Sequence, residues 1–272
     1  VFYGYGWEIL LCEAGFVAIF LCPLIDGRPF PRRPAPPQII WLYRWLALRV
    51  MLGAGLIKLR GDVCWRDLTC LDYHFETQPI PNPLSSFFHF LPSWMHKLGV
   101  LGNHLCELVM PLFVFGPRRL RIIAGLTMIA FQFTLILSGN LSFLNWLTIV
   151  PLLACLDDEF LRRLVPRRLA QASARAAQTA ASSSAGRFVV WTIFGLLCLL
   201  SISPLVNLFS PQQRMNSSFD PFNLVNTYGA FGSVGQERNE VIFAGTADAT
   251  PDESAHWIEY EFPCKPGNVR RR

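Results

Sequence analysis

IIWLYRWLALRVMLGAGLIKL, residues 39–59, is an almost unbroken apolar run. A helix needs about 20 such residues to cross the ~30 Å hydrocarbon core of a bilayer. Over the full 272 residues, 52% are hydrophobic and only 16% are charged, whereas a soluble domain carries about 25% charged residues. The sequence therefore predicts a helical membrane protein. It predicts no nucleic-acid partner, because no basic stretch is interleaved with stacking residues.

Apolar segments of similar length flank this run on both sides, at 7–25, 98–116 and 188–209. The longer run 120–155 is broken by the turn signal Ser138-Gly139-Asn140, which predicts a hairpin whose second span, 141–156, is short. We expect an α-helical multi-pass protein with six transmembrane helices. Five remain the alternative if the first or the short segment does not cross.

The arginines between these segments predict the orientation, because loops on the cytosolic side are enriched in Arg and Lys. Segments 26–38, 117–121 and 157–187 carry twelve arginines, and six spans would put them all on one side. The opposite loop, 60–97, carries only Arg60, Arg66 and Lys97. We therefore expect loop 60–97 and the tail 210–272 to be lumenal. The glycosylation sequon at Asn216 agrees with this orientation.

The composition divides the chain into four regions. Residues 1–165 are expected to form a transmembrane domain with the lumenal loop 60–97. Residues 166–187 are a small-residue, polar stretch expected to be a flexible cytosolic linker, with a short helix in its Ala-rich half as the alternative. The last transmembrane helix covers 188–209. In the tail 210–272, EVIFAGT (240–246) and HWIEYEF (256–262) alternate apolar and polar residues. This pattern predicts a loose hairpin and the start of a lumenal β-rich domain.

Ionisable side chains inside the predicted spans are costly, so each invites a functional hypothesis. Counting residues from the cytosolic ends places Glu13, Arg49 and Glu107 at one depth and Glu8 and Lys58 at another. We expect the networks Glu13–Arg49–Glu107 and Glu8–Lys58. Three readings remain open: pairs that only hold helices together, a proton relay or catalytic site, and misplaced span boundaries. The candidate set is Glu8, Glu13, Arg49, Lys58, His104 and Glu107.

Loop 60–97 opens with RGDVCWRDLTCLDYHFETQPIPNPLS, residues 60–85. Cys64 and Cys70 are separated by five residues, which is a poor match to zinc or redox spacings, so a disulfide is the plainest reading in an oxidising lumen. Cys264 has no obvious partner. Alternating prolines stiffen the end of the stretch, and the aromatic segment 85–98 suits a membrane interface. The residues expected to face a partner are Trp65, Asp67, Tyr73, His74 and Glu76.

Four stretches closely resemble the lipase maturation factor family. They are residues 51–85, GNHLCELVMPLFVF (102–115), LSGNLSFLNWLTIVPLLACLDDE (137–159) and LVNTYGAFGSVGQERNEVIF (224–243). The motifs NTYGAFG and YEFPCKPG in the tail favour one branch of that family. The resemblance covers most of the chain outside the divergent linker near 165–187. Because family members continue well past the last residue, we expect this chain to be a fragment.

The resemblance implies a multi-pass membrane protein of the endoplasmic reticulum. It would be needed for the folding and assembly of secreted homodimeric lipases: lipoprotein lipase, hepatic lipase and endothelial lipase. Contact with these clients is attributed to lumenal parts. Membrane lipids and other folding factors of the endoplasmic reticulum are the further expected partners. The resemblance supplies no catalytic residues, and neither the residues nor the family indicates a cofactor or metal.

Two functions therefore stand side by side. The first is a non-enzymatic assembly factor whose loop 60–97 and tail hold partly folded lipases. The second is an intramembrane enzyme or transporter for a lipid or small molecule, acting through Glu13, Arg49, His104 and Glu107. The first predicts that replacing the loop abolishes lipase secretion, whereas the second predicts that Glu107→Gln does so.

Overall fold

The computed structural model describes residues 6–22, 26–28, 31, 35–178, 183–239, 241–248 and 252–260. The fold is mostly helical. Its α-helices, in chain order, are α1 Gly6–Ile19, α2 Pro37–Arg60, α3 Val63–Arg66, α4 Leu71–Thr77, α5 Ser85–His89, α6 Ser93–His104, α7 Arg118–Ser138, α8 Leu144–Leu152, α9 Asp158–Leu161, α10 Arg167–Gln178, α11 Ser184–Leu200 and α12 Ile202–Phe209.

Three helical stretches of the described chain are long and apolar enough to cross a membrane: Pro37–Arg60, Arg118–Ser138 and Ser184–Phe209. The first predicted span contains only α1, whose 14 residues are about 21 Å long. Part of that span, 23–25, lies outside the described residues. The fourth and fifth predicted spans are α7 and the shorter α8. The expected number of crossings stays a prediction.

Helix α2 lies at the centre of the bundle and contacts α1, α8 and α11 and the segment that continues α6. Pro37 starts it at a position where the missing N–H costs nothing, and Gly61 ends it. One apolar cluster joins α1, α2, α8 and α11 around Leu10, Ile39 and Leu46. A second joins α2 to α7 and α8 around Met51 and Met128. These clusters explain why residues on several faces of α2 are buried.

The third predicted span begins at Ser93, five residues earlier than expected, and changes its winding midway. It continues from α6 as a π-helical turn, Leu105–Val109, and then a 3₁₀ turn, Met110–Phe113. Pro111 accounts for the change, because it has no N–H for the Glu107 carbonyl and its ring would collide with that oxygen. Glu107 lies in the wider turn and is buried.

The stretch 166–187, predicted as a flexible linker with a short helix as the alternative in its Ala-rich half, contains that helix. Residues Arg167–Gln178 form α10, and α11 begins at Ser184 with the Ser183 side chain accepting a hydrogen bond from the Gly186 N–H. The intervening residues 179–182 lie outside the described chain. Alanine has the highest helix propensity, which explains a helix in this Ala-rich stretch although none of its residues is buried.

The tail does not simply leave the bundle after α12. A two-stranded antiparallel pair, β1 Ser217–Ser218 and β2 Asn226–Thr227, turns the chain back onto α2. Val225, Asn226 and Tyr228 are buried there. Gly53 permits the approach, since a Cβ at that position would collide with the carbonyl oxygen of Tyr228. This part of the predicted lumenal domain is therefore built into the helical domain.

The predicted hairpin further along the tail is present as β3 Phe243–Gly245 paired antiparallel with β4 Ile258–Tyr260. The segment HWIEYEF extends past the described residues, as does Cys264. A larger β-rich domain beyond this hairpin stays a prediction.

Candidate functional site

The first buried ion pair joins Glu13 of α1 to Arg49 of α2. The Arg49 guanidinium donates to both carboxylate oxygens of Glu13 and to the backbone carbonyl of Asn226. The same carboxylate accepts two hydrogen bonds from Asn226, both 3.0 Å long, and one of 2.8 Å from the Tyr228 hydroxyl. The pair thus holds two helices and the returning tail together.

The second buried cluster contains Lys58 of α2, Asn103 of α6 and Glu107 of the π-helical turn. The Lys58 ammonium is 2.7 Å from both carboxylate oxygens of Glu107 and 2.9 Å from the Asn103 side-chain oxygen. The Asn103 amide donates to Glu107 over 3.1 Å. Lys58 also lies 4.8 Å from the centre of the Trp65 ring. The ammonium has three donors, and all three are used.

The pairing that we predicted from depth alone is right for Glu13 and Arg49 and wrong for the other charges. Arg49 pairs with Glu13 but not with Glu107, and Lys58 pairs with Glu107 rather than with Glu8. Lys58 follows Arg49 by nine residues, which is about two and a half helical turns. The two cations therefore point to opposite faces of α2. Depth along a helix does not say in which direction a side chain points. The rotation of α2 about its axis separates the charges into two clusters.

Two members of the candidate set lie outside both clusters. His104 Nε2 is 2.9 Å from the carbonyl oxygen of Trp65, and its Nδ1 is buried with no hydrogen-bond partner in the described chain. One carboxylate oxygen of Glu8 is likewise buried and unpartnered among the described residues. His104 therefore ties α6 to the 60–97 segment rather than serving the Lys58–Glu107 cluster.

Residues 60–97, which we call the cap, fold into α3, α4, α5 and the start of α6. A disulfide joins Cys64 to Cys70 between α3 and α4. The Asp62 carboxylate accepts hydrogen bonds from the N–H groups of Cys64 and Val234. The first turn of the cap is thereby braced internally and fastened to the tail.

The five residues expected to face a partner do not share one environment. Asp67 and Glu76 are exposed, and Tyr73 and His74 are half-buried. Trp65 is only 3% exposed, and its indole N–H donates to the Phe231 carbonyl over 2.8 Å. The prediction for Trp65 is therefore wrong. Its large apolar ring is covered by the tail, which the linear sequence could not show.

His74 sits in an apolar setting beside the Phe75 and Phe231 rings. Burial, and secondly the nearby Lys58 ammonium, lower the pKa of His74 to about 4. At neutral pH its imidazole is therefore uncharged. The side chain belongs to the inner wall of the cap more than to its outer surface.

Three polar side chains in and beside the proline segment of the cap make hydrogen bonds that the sequence did not indicate. Asn82 donates from its side-chain amide to three carbonyl oxygens at the end of α7, each 3.0 Å away. Ser85 and Gln78 both donate to the Ser138 carbonyl, over 2.7 and 3.2 Å. Carbonyls at a helix C-terminus lack partners within the helix, so these side chains satisfy them. The cap is thus fastened to α7 as well.

A cavity of about 690 Å³ lies between α2, α6, α7, α8 and the underside of the cap. Its walls are mostly apolar, and its polar lining includes the Lys58–Asn103–Glu107 cluster. Gln132 and Asn145, a buried pair joined by a 2.8 Å hydrogen bond, line another part of it. The residues around the cavity come from segments far apart in sequence.

Asn216 also lines this cavity, and its side chain is engaged. Its amide N–H donates to the Gly229 carbonyl over 3.1 Å, and its side-chain oxygen accepts from the Gly229 N–H over 3.4 Å. This contact uses one of the two hydrogens on the side-chain nitrogen, and glycosylation at Asn216 stays a prediction. Elsewhere in the described chain, no group of three or more His, Cys, Asp or Glu side chains could hold a metal ion.

These features define a helical membrane domain whose cap and tail are fastened to it by buried polar contacts. The lipase maturation factor transmembrane domain matches residues 1–163, and the lipase maturation factor C-terminal domain matches residues 224–272. The chain belongs to the lipase maturation factor family.

Curated relatives agree with this membership. Lipase maturation factor 1 of Bos taurus is 50% identical over the whole of this chain, and that of Homo sapiens is 47% identical. Lipase maturation factor 2 of Gallus gallus is 40% identical over 61% of this chain and 24% of its own length. The chain spans about half the length of the factor 1 relatives it matches. No solved structure matches it.

Sequence reasoning missed the tail residues that complete the first ion pair, Asn226 and Tyr228. The motif NTYGAFG served only as evidence of resemblance. Its polar residues could have been suspected of a buried role, because they stand between apolar Leu224 and Val225 and the small residues that follow. Nothing in the linear sequence, however, connects position 226 with position 13.

Proposed function

We propose that this chain is part of an endoplasmic-reticulum membrane factor that assists the folding, dimer assembly and secretion of lipases such as lipoprotein lipase and hepatic lipase. It performs no catalytic step of its own in this role. The support is its membership of a family whose relatives are named for lipase maturation, over the full length of this chain.

The single structural observation that carries the proposal is the construction of the cap. A disulfide braces it, and hydrogen bonds fasten it to α7 and to the tail. Asp67 and Glu76 remain exposed on its outer side, so a client would meet a rigid, charged surface held close to the membrane. We place the cap and the tail in the lumen, as the arginine distribution predicts, where secretory clients fold.

The buried charges fit this role better than the alternative of an intramembrane enzyme or transporter. Lys58 is paired with Glu107 and Asn103, and Glu13 is paired with Arg49 and the tail. Each buried charge thus has its counter-ion in the resting protein, although the Arg49 Nε and the Asn226 side-chain oxygen have no hydrogen-bond partner among the described residues. We therefore assign both clusters to helix and tail attachment.

Rescue of lipase secretion tests the proposal. Residues 1–272 would be joined to the remainder of the bovine relative and expressed in cells that lack the endogenous factor. The double variant Asp67→Ala/Glu76→Ala should lower lipase activity in the medium at unchanged protein abundance. The matched control is Asp158→Ala/Glu159→Ala, which removes two exposed acids from the side predicted to be cytosolic and should rescue normally. Equal rescue by both double variants would refute the role of the cap.

A third double variant separates the two functions. Lys58→Met/Glu107→Met removes both charges of the second cluster together and leaves no unpaired ion. An assembly factor should tolerate this change. Loss of lipase secretion, with normal abundance and normal lipase binding, would instead favour an enzyme or transporter.

A further inference from the structure

The cavity under the cap has the size and lining of a ligand site. Its volume of about 690 Å³ falls within the roughly 300–1,000 Å³ that small-molecule sites occupy. Its apolar walls include Val50 and Ala54 of α2, Phe75 of the cap and Phe131 of α7. Such a lining suits a hydrocarbon chain far better than a polar metabolite.

The polar part of the cavity carries no net charge in the described structure. Lys58 is balanced by Glu107, and His96 lies 2.8 Å from the Asp72 carboxylate. The Gln132 and Asn145 amides are neutral, and His74 is uncharged at neutral pH. An anionic or cationic ligand would therefore be moved out of water without a counter-charge, at a large cost in free energy. An uncharged ligand with hydrogen-bonding oxygens avoids that cost.

Gln132 supplies an amide hydrogen that has no acceptor among the described residues. The residue is only 4% exposed, and its side-chain oxygen already accepts from Asn145. Of the two N–H donors on its amide nitrogen, one points to the thioether sulfur of Met51 at 3.4 Å, and a thioether is a weak acceptor. A buried amide N–H without a strong acceptor is unfavourable, so the site favours a ligand whose carbonyl oxygen can accept this hydrogen bond.

The segment 85–98 links the cavity to the membrane interface. Phe88, Leu91 and Met95 line the cavity, while Phe87, Phe90 and Trp94 of the same segment are 62%, 81% and 61% exposed. Exposed aromatic side chains beside a transmembrane domain are typical of the level of the lipid headgroups. A lipid in the adjoining leaflet would thus lie next to the cavity wall.

We propose that this cavity binds the acyl chain of an uncharged glycerol ester such as a monoacylglycerol, with the ester carbonyl accepting a hydrogen bond from Gln132. The hydrocarbon chain lies against the apolar walls formed by α2, α7 and the cap. The glycerol hydroxyls lie toward the polar lining. This site is separate from the exposed face of the cap and does not depend on the proposed role in lipase maturation.

A photoactivatable monoacylglycerol with a diazirine in its acyl chain tests the site. The whole 272-residue chain would be labelled in lipid nanodiscs, and the labelled peptides would be mapped by mass spectrometry. We expect labelling in Ser93–His104 and Arg118–Ser138. Labelling confined to outward-facing residues such as Trp94 would overturn the proposal.

Gly102 provides the blocking variant and Gly195 the matched control. Gly102 lines the cavity, and a Cβ at either glycine meets no atom within 4 Å, so both backbones have room for the first atom of a side chain. Gly102→Leu fills part of the cavity and should lower labelling about tenfold, equivalent to about 1.4 kcal/mol of binding. Gly195→Leu, on the exposed side of α11, should label like the parent. Equal labelling of both variants would overturn the proposal.

Competition with unlabelled lipids tests the headgroup without a mutation. Monoacylglycerol should compete best, and its ether analogue, which lacks the carbonyl, should compete about two- to tenfold less well because one hydrogen bond is lost. The fatty acid of the same chain length, held ionised by pH, should compete worst. A fatty acid that competes as well as the monoacylglycerol would overturn the argument from charge. An ether analogue that competes equally would overturn the contact with Gln132.

Discussion

Glu13→Gln should release the tail from the bundle. The carboxylate receives five hydrogen bonds in the described structure, two from Arg49, two from Asn226 and one from Tyr228. A glutamine has one oxygen instead of two and no charge. If its oxygen faces the tail, its NH₂ group faces the Arg49 guanidinium, donor against donor. Either orientation leaves a buried guanidinium without its counter-ion.

The expected loss of stability follows from that unpaired charge. Removing one partner of a buried ion pair costs about 3–5 kcal/mol. Arg49 keeps the Asn226 carbonyl and the faces of the Trp45 and Tyr228 rings, which moderate the loss. We therefore expect Glu13→Gln to fall near the lower end of that range. The double variant Glu13→Gln/Arg49→Met also removes the cation. Its loss of unfolding free energy should therefore be smaller than the sum of the losses of the two single variants.

Two measurements check this prediction in purified chain. Thermal unfolding should show a lower Tm for Glu13→Gln than for the double variant. Limited proteolysis should cut the tail near 210–239 faster in the single variant, since Asn226 and Tyr228 are then held less tightly. A single variant within about 0.5 kcal/mol of the parent, as at an ordinary surface site, would refute the reasoning. So would strict additivity, because contacting residues are expected to couple.

Three further predictions concern the cap and the second cluster. Glu107→Gln should destabilise the chain by about 3–5 kcal/mol because it strands the Lys58 ammonium, and thermal unfolding measures the loss. Cys64→Ser should cost about 2 kcal/mol for a loop of this length, and reducing agent should then lower the Tm of the parent but not of the variant. His74 has a pKa lowered to about 4, so the unfolded chain binds its proton first as the pH falls. Stability should therefore drop by about 2 kcal/mol between pH 7 and pH 5, and His74→Gln should remove most of that slope.

The sequence identified the helices well because their signals are local. An apolar run of sufficient length specifies a membrane-type helix whatever surrounds it, as Pro37–Arg60 and Arg118–Ser138 show. The break at Ser138-Gly139-Asn140 and the hairpin between Phe243 and Tyr260 follow from turn residues and alternation in the same way. Local signals were less reliable at helix ends. Helix α6 begins at Ser93 and not at 98, and α11 begins at Ser184 and not at 188.

The partners of the buried groups could not be read in this way. Arg49 and Lys58 occupy the same helix, and only its rotation against its neighbours sends one to Glu13 and the other to Glu107. The burial of Trp65 depends on the tail, which returns from more than 160 positions later. Asn82, Ser85 and Gln78 likewise find their acceptors only because α7 ends beside them.

The amino-acid sequence by itself thus determined that this is a helical membrane protein, which family it resembles, and which side chains are too polar for their surroundings. Those properties depend on composition and on neighbours a few positions away. The tertiary structure alone decided which charges pair, which face of the cap is free and where the cavity lies. Each of these depends on how helices are rotated and how distant segments meet, and no spacing along the chain records that.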